Sequence, residues 1–300
     1  MPRLPHALIA AIVAAALALP VAAQPGPDTA PAAIVARLRG SAVVDGAPSP
    51  RPLRLFDRLV PGDVVRTGSG SEIVLVFRTG TRARVTANSR ARLEDARAVR
   101  LAGAVEALPA VPTVPLVAPV AGAGRTITAV RIRATALKLF GPPPGAMTLA
   151  DDTRLEFEPV AGSRYEIEIL DTAGALVYRA EVSTSRFTVP PTALAPGVSY
   201  EWKVTARLPT GFTSAGESRF RTLGAEAVHA RENLRSALAG ERDAASLLAE
   251  VDRSLGLWRE ALDGFRAARA AGVEDVVIGE RIADLERRLA AGVDPKDNRH

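Results

Sequence analysis

Few side chains of this 300-residue chain could carry out covalent or acid–base chemistry. It has no Cys, and its three His are His6, His229 and His300. Because His229 is the only one away from the termini, a Cys/His or zinc-ligand cluster is excluded, and a Ser/His/Asp triad would have to use His229. Gly68-Ser69-Gly70 lacks the rest of a phosphate-binding loop. These observations favour a non-catalytic protein with neither a metal nor a cofactor.

Two pairs of carboxylates have a spacing that could suit acid–base chemistry, Glu156 with Glu158 and Glu166 with Glu168. Each pair alternates with apolar residues at period two, so both members are expected on the exposed face of a strand. Exposure leaves nothing to separate their pKa values. Asp151-Asp152 indicates a turn, with metal binding as the alternative. A structural role is favoured for all of these carboxylates.

Four arginines form two pairs with strand spacing, Arg82 with Arg84 and Arg90 with Arg92. Residues two apart on a strand share a face, so each pair is predicted to project from one side of its strand. Guanidinium groups bind carboxylates and phosphates through forked hydrogen bonds. The four residues are therefore our candidate binding face, and the alternative is a solvated surface without a ligand.

Positive charge is concentrated in the first half of the chain. Residues 24–140 hold 17 basic and 8 acidic side chains, residues 141–223 hold 8 and 10, and residues 224–300 hold 12 and 15. A basic domain is typical of proteins that bind nucleic acid, anionic glycans or anionic lipid headgroups. Export, which the first residues predict, argues against nucleic acid.

Residues 1–23 have the pattern of a secretory signal peptide. An apolar run from Ala7 to Leu19 follows Arg3, and Val21-Ala22-Ala23 forms a small-residue cleavage site. We predict cleavage after Ala23; the alternative is an uncleaved anchor, although the run is shorter than the ~20 residues that span a bilayer. Without Cys the protein cannot be a lipoprotein. The mature chain is predicted to be periplasmic or secreted, without a transmembrane span and with a flexible N-terminus over 24–32.

Residues 33–106 are predicted to form a β module, because short β-rich runs alternate with Gly and Asn turns. Its motif resembles the FecR-type domain of bacterial envelope proteins, and it contains Pro61, Gly62, Asp63, Thr67, Gly68 and Gly80. Founding members of that family are transmembrane regulators that act on a sigma factor through a cytoplasmic segment. Here a signal peptide stands in place of that segment. The resemblance therefore implies an exported domain that recognises an envelope protein or another envelope component.

A Pro-rich linker is predicted over 107–125, followed by a β-sandwich over 126–223. The sandwich resembles a fibronectin type III domain, because Pro196-Gly197 stands just before a strand with Tyr200, Trp202 and Val204 on one face. In that family the corner Tyr places its hydroxyl on the backbone. Phe157 stands where Trp is common, a conservative change in packing.

Helical periodicity begins at Gly224, and four helices are predicted over 224–292, before a disordered tail over 293–300. One segment resembles a tetratricopeptide repeat, with its motif at Gly256, Trp258, Ala261, Phe265 and Ala268. A lone repeat cannot bury its own apolar face, so the helices must pack on one another, on the sandwich or on a partner. A peptide-binding concavity is the alternative role for that face.

The fold class predicted from these patterns is multidomain and mainly β, with a FecR-like module and a fibronectin III-like sandwich followed by an all-α, tetratricopeptide-like segment. The predicted function is a non-catalytic binding or scaffold protein of the cell envelope, with envelope proteins as partners. The alternative is a protein that binds anionic glycan, such as peptidoglycan, lipopolysaccharide or capsule, through the arginine face. The oligomeric state is left open.

Overall fold

The computed structural model describes residues 30–45, 49–113, 135–211, 213–241 and 244–290. The chain divides into two compact units, Met1–Ala30 and Pro31–His300, and every element below belongs to the second. The predicted signal peptide with its cleavage after Ala23, most of the predicted linker and the predicted tail lie outside the described residues. No helix within the described ranges is long and apolar enough to cross a membrane.

The first β module contains ten strands in two five-stranded sheets. The strands are β1 Ala33–Arg39, β2 Ala42–Asp45, β3 Arg51–Pro52, β4 Arg58–Leu59, β5 Val64–Thr67, β6 Glu72–Phe77, β7 Arg82–Val85, β8 Arg90–Leu93, β9 Ala98–Ala102 and β10 Val105–Leu108. Sheet I has the order β10-β7-β6-β1-β4, and sheet II has the order β3-β2-β5-β8-β9. Their facing sides enclose a core that includes Val35, Leu75 and Phe77 of sheet I and Val65 and Leu93 of sheet II.

Residues of the turn motif predicted between Pro61 and Gly80 close the turns of this module. The Asp63 carboxylate accepts a hydrogen bond from the Val60 N–H at 2.9 Å. The Thr67 hydroxyl accepts one from the Ser89 N–H at 3.0 Å. Gly80 has a φ of +87°, and a Cβ there would lie 1.9 Å from the Val111 carbonyl oxygen, so only Gly fits. The motif residues therefore have structural roles in the module.

The start of the predicted linker belongs to the fold. Strand β10 continues to Leu108, beyond the predicted boundary at residue 106. Val111 is buried, and its N–H donates to the Gly80 carbonyl at 2.9 Å. Residues 107–111 are thus packed against the first β module.

Nine strands follow in the second β region. They are β11 Thr135–Ala136, β12 Leu139–Gly141, β13 Met147–Thr148, β14 Arg154–Phe157, β15 Arg164–Asp171, β16 Leu176–Val182, β17 Arg186–Thr188, β18 Ser199–Arg207 and β19 Thr213–Thr222. Sheet III has the order β11-β19-β18-β15-β16, with β13 also paired to β19, and sheet IV has the order β12-β14-β17. The predicted segment 126–134 lies outside the described residues.

The core of this sandwich contains the aromatic residues that the sequence placed on one face. Trp202 and Phe157 are buried, with ring centroids 6.5 Å apart. The Tyr200 hydroxyl accepts a hydrogen bond from the Ala195 N–H at 2.8 Å. The predicted bond between the corner tyrosine and the backbone is therefore present, and it fixes the entry to β18.

Four helices complete the described chain: α1 Ala225–Ala237, α2 Ala244–Ser254, α3 Trp258–Ala270 and α4 Val276–Ala290. Gly256 separates α2 from α3 with a φ of +82°, a conformation that favours Gly at a helix end. Ala261, Phe265 and Ala268 of α3 are fully buried. The side chains assigned to the repeat motif thus form the helical seam.

The helices pack on the outer face of sheet I, which the sequence did not predict. Val74 and Val76 of β6 share one apolar cluster with residues of all four helices. The neighbouring residues Ile73, Leu75 and Phe77 belong to the core between sheets I and II. Every residue from Ile73 to Phe77 is therefore buried, and sheet I is covered on both faces.

The helices also contact the sandwich. The Met147 N–H donates to the Gly256 carbonyl at 2.9 Å, and Arg259 Nη2 lies 3.0 Å from Glu156 Oε2. The helical segment thus touches both β regions and connects parts of the chain that are far apart in sequence.

We predict that Phe265→Ala lowers the free energy of unfolding by about 3–5 kcal/mol, because Phe265 is fully buried. Its ring centroid lies 5.8 Å from that of Phe56 in the first β module. Helices and module should therefore lose stability together in denaturant titrations followed by far-ultraviolet circular dichroism. Phe187→Ala, at a half-buried ring of the sandwich, should have a smaller effect. Loss of helical stability alone would contradict the shared core.

Candidate binding surface

The four arginines predicted as one binding face lie on two different sheets. Arg82 and Arg84 are on β7 of sheet I, whereas Arg90 and Arg92 are on β8 of sheet II. Strand spacing places each pair on one side of its own strand, but it does not show which strands become neighbours. The single four-arginine face is therefore not formed.

Arg82 is an internal side chain of the folded chain, with only 8% of its side chain exposed. Its Nη1 donates to Glu241 Oε1 at 2.6 Å and to the Pro109 carbonyl at 3.4 Å. The hydrogen bonds from Arg82 hold the pKa of the Glu241 carboxyl below its ordinary value. Since Glu241 follows α1, this ion pair connects sheet I to the helical segment. Arg82 is thus unavailable to an external ligand.

Arg84 is also paired within the first module. Its Nη1 donates to Glu106 Oε2 at 3.1 Å, and its Nε lies 3.6 Å from Glu72 Oε2. The side chains of Glu72 and Glu106 come from the strands on either side of β7. Two carboxylates therefore surround this guanidinium, which leaves it little net attraction for an anion.

Sheet II has a different group of arginines on its outer side. Arg66 of β5 lies directly opposite Arg90 of β8, and Arg92 follows on the same side of β8. Residues opposite each other in a sheet share a face, so Arg66, Arg90 and Arg92 form one surface, which we call the arginine face. All three are exposed, whereas the intervening Ala91 is buried. The arginine face is thus presented to solvent.

Sequence reasoning missed Arg66, although the signal was present. Val65 is part of the apolar pair in β5, and the residue after an inward-facing one must point outward. Its place beside Arg90 depends on the register between β5 and β8, and the Ser89 N–H donates to the Thr67 hydroxyl at the end of that pairing. The sequence therefore predicts that Arg66 points outward from β5, but it does not predict that β5 pairs with β8.

Charge on the arginine face is only partly neutralised. Asp45 of the neighbouring β2 is shared, with Oδ1 3.3 Å from Arg66 Nη2 and Oδ2 3.1 Å from Arg90 Nε. Arg92 has no ion-pair partner among the described residues. Like charges directly opposite each other in a sheet are destabilising, so the pairing of Arg66 with Arg90 opposes folding unless a counter-charge is present. One shared carboxylate leaves the face with an excess of positive charge.

The other chemical candidates are arranged as structural groups. Glu166 and Glu168 both form ion pairs with Arg179 on the outer face of sheet III. Glu156 pairs with Arg186 and Arg259. Glu166 is also paired with Arg207, whereas Glu158 accepts a hydrogen bond from the Lys138 N–H. Three of the four predicted carboxylates thus form ion pairs with surface arginines.

His229 lies exposed on α1. Within the described ranges no group of three or more His, Asp or Glu side chains could hold a metal ion.

A buried ion pair holds α1 to α2. Arg231 Nε donates to Asp252 Oδ1 at 2.5 Å and Arg231 Nη2 donates to Asp252 Oδ2 at 2.9 Å, and both residues are buried. The fork satisfies both carboxylate oxygens, which is the geometry that makes a buried charge tolerable. On the next helix, burial raises the pKa of Glu260. Arg231 and Asp252 are buried between the helices, so we assign this pair to stability.

No protein-family model matches the chain, and no curated protein matches it. Among solved structures, a fibronectin III domain of human collagen alpha-1(XX) is 18% identical, with a TM-score of 0.26 over 34% of this chain and 91% of that domain. CopC from Methylosinus trichosporium OB3b is 23% identical, with a TM-score of 0.22 over 27% and 84%. A cell surface anchoring domain is 25% identical, with a TM-score of 0.21 over 22% and 88%. TM-scores of this size do not bear on the chain's function.

Removal of Glu241 should destabilise the protein strongly. Glu241→Ala leaves the Arg82 guanidinium buried and without its carboxylate, and we expect a loss of about 3 kcal/mol in the free energy of unfolding. Glu106→Ala removes an exposed partner of Arg84 and should cost less than about 1 kcal/mol. Urea titration of both variants measures the difference. Equal effects would show that the Arg82 pair does not connect the helices to sheet I.

Proposed function

We propose that this chain is a non-catalytic binding protein of the bacterial cell envelope, with the first β module as its recognition domain. The FecR-type motif over residues 61–93 and the predicted export signal support this assignment. The observation that carries the proposal is the contrast between the two sheets of the module. Sheet I is covered by helices on its outer side, whereas the outer side of sheet II presents Arg66, Arg90 and Arg92 to solvent.

The chemistry of the arginine face suits an anionic partner. Strands lie about 4.8 Å apart and alternate residues of one strand about 6.8 Å apart, so neighbouring guanidinium groups can bind successive carboxylates or phosphates. An acidic surface of an envelope protein would provide such groups. The proposed role is therefore that of a scaffold whose helices and sandwich hold one basic sheet face open to a partner.

An anionic glycan is the second candidate ligand, and the composition of the arginine face favours it. The side chains beside the arginines are Val43, Val64 and Val99. Protein interfaces usually depend on buried aromatic anchors, which this row does not offer. A polymer with regularly spaced carboxylates or phosphates needs the charges alone. Such binding would weaken steeply with salt, whereas an interface with a defined protein would be more resistant.

Neutralisation of the face tests the proposal. The test is the triple variant Arg66→Gln, Arg90→Gln and Arg92→Gln. If the ligand is a glycan, retention on purified peptidoglycan sacculi and lipopolysaccharide should fall by about tenfold or more. If the ligand is an envelope protein, its capture by crosslinking in cells should fall by the same factor. The matched control replaces three exposed arginines elsewhere, Arg164, Arg221 and Arg269, by Gln. Its binding should be unchanged. Equal losses in both variants would indicate an effect of net charge, and binding that survives in the first variant would refute the assignment of the face.

A further inference from the structure

Strand β16, Leu176–Val182, is an unpaired edge of sheet III. It pairs with β15 on one side and has no neighbour on the other within the described chain. The backbone groups on that side are donors and acceptors at the positions where another strand could be added. Edge strands of this kind are interaction sites unless the protein blocks them.

Two of the usual blocking devices, Pro and Lys, are missing from β16. Its pairing with β15 has a register shift at its start, and its charged side chains are Arg179 and Glu181. Leu176 and Val177, at its start, are 52% and 38% exposed. They are two of the four large apolar side chains that are exposed in the described part of the chain. The edge is therefore both unpaired and partly apolar.

The charges of β16 are not balanced within the chain. Arg179 is paired with Glu166 and Glu168 of β15. Glu166 is also paired with Arg207, so its charge is compensated within the subunit. Glu181 lies directly opposite Glu166 and has no cationic partner among the described residues. A cation arriving from beyond the edge would supply the counter-charge that Glu181 lacks.

We propose that the partner is a second copy of this chain, whose β16 pairs antiparallel with the first about a two-fold axis at Ala180. A two-fold axis normal to the sheet keeps every side chain on its own face of the sheet. Each residue therefore pairs with one that is an even number of positions away in sequence. The axis must then lie between one residue and the same residue of the second copy. An axis at Arg179 would place Arg179 opposite its own copy, and an axis at Glu181 would do the same for Glu181. Of these three positions, only an axis at Ala180 places Arg179 opposite Glu181 of the partner subunit. Because of the two-fold symmetry, the dimer contains this ion pair twice.

The other side of the strand agrees with this register. Tyr178 would lie opposite Val182 of the partner subunit, and aromatic residues pair favourably with β-branched ones across strands. The small side chain of Ala180 meets its own copy at the axis, where a large one would clash. Sheet III would thus continue from one subunit into the other. The dimer would also carry two arginine faces, although the pairing does not depend on them.

Analytical ultracentrifugation of the purified full-length chain over a concentration series tests the proposal. The wild-type protein should show a monomer–dimer equilibrium. Glu181→Arg should raise the dissociation constant at least about tenfold, because it places Arg opposite Arg179 of the partner subunit. Within the subunit the same change places a cation opposite Glu166, so the variant should remain folded, as thermal unfolding can verify.

Two further variants make the result specific. Adding Arg179→Glu to Glu181→Arg exchanges the two charges and should restore the dimer. Glu217→Arg makes the same change of charge at an exposed position on β19, away from the edge, and should leave the dissociation constant unchanged. A wild-type chain that is monomeric at the highest concentration would overturn the proposal. So would a dimer that survives Glu181→Arg, because its interface would lie elsewhere.

Discussion

Burial of β6 on both faces is the constraint on which the rest of the structure depends. Leu75 and Phe77 point into the core between the two sheets of the first β module, and Val74 and Val76 point to the opposite side. A sheet with two apolar faces must be covered on both. Sheet II covers one and the helices cover the other. The C-terminal helices are therefore a structural layer of the N-terminal module, although the whole sandwich region separates them in sequence.

This packing determines which surfaces can have a function. The helical seam at Ala261 and Phe265 is occupied by internal packing, so the apolar side of the helices is used within the chain. Arg82 is taken into the interface between sheet I and the helices by its pair with Glu241. The arginines predicted to form one surface are thus separated: Arg82 forms an internal ion pair, whereas Arg90 and Arg92 lie on the exposed side of sheet II. The face on sheet II is the part that remains exposed.

Much of the local structure could be predicted from the sequence. Short β-rich runs between turns located the strand around Val65, and alternating apolar residues located the strand around Ile167. The change to helical periodicity at Gly224 located the helices. The hydroxyl contact of Tyr200 was implied by the resemblance to a fibronectin type III domain at Pro196-Gly197 and Tyr200. The positions of distant elements beside one another, such as Arg66 opposite Arg90, could not be predicted. Alternation along a strand indicates the face on which a side chain lies, but it does not indicate which other strand pairs with that strand. The uninterrupted apolar run in β6 was the one sequence signal of a second covering layer.

Hydrogen exchange of the native chain, followed by mass spectrometry at increasing sub-denaturing urea, tests the shared core most directly. Amides of β6 and of α3 should exchange through one opening, with the same free energy and the same dependence on urea, because neither element keeps its apolar face buried without the other. Exchange of α3 through a lower-energy opening that leaves β6 protected would contradict this account. It would show that the helices are a separate domain attached to a β module that is stable alone.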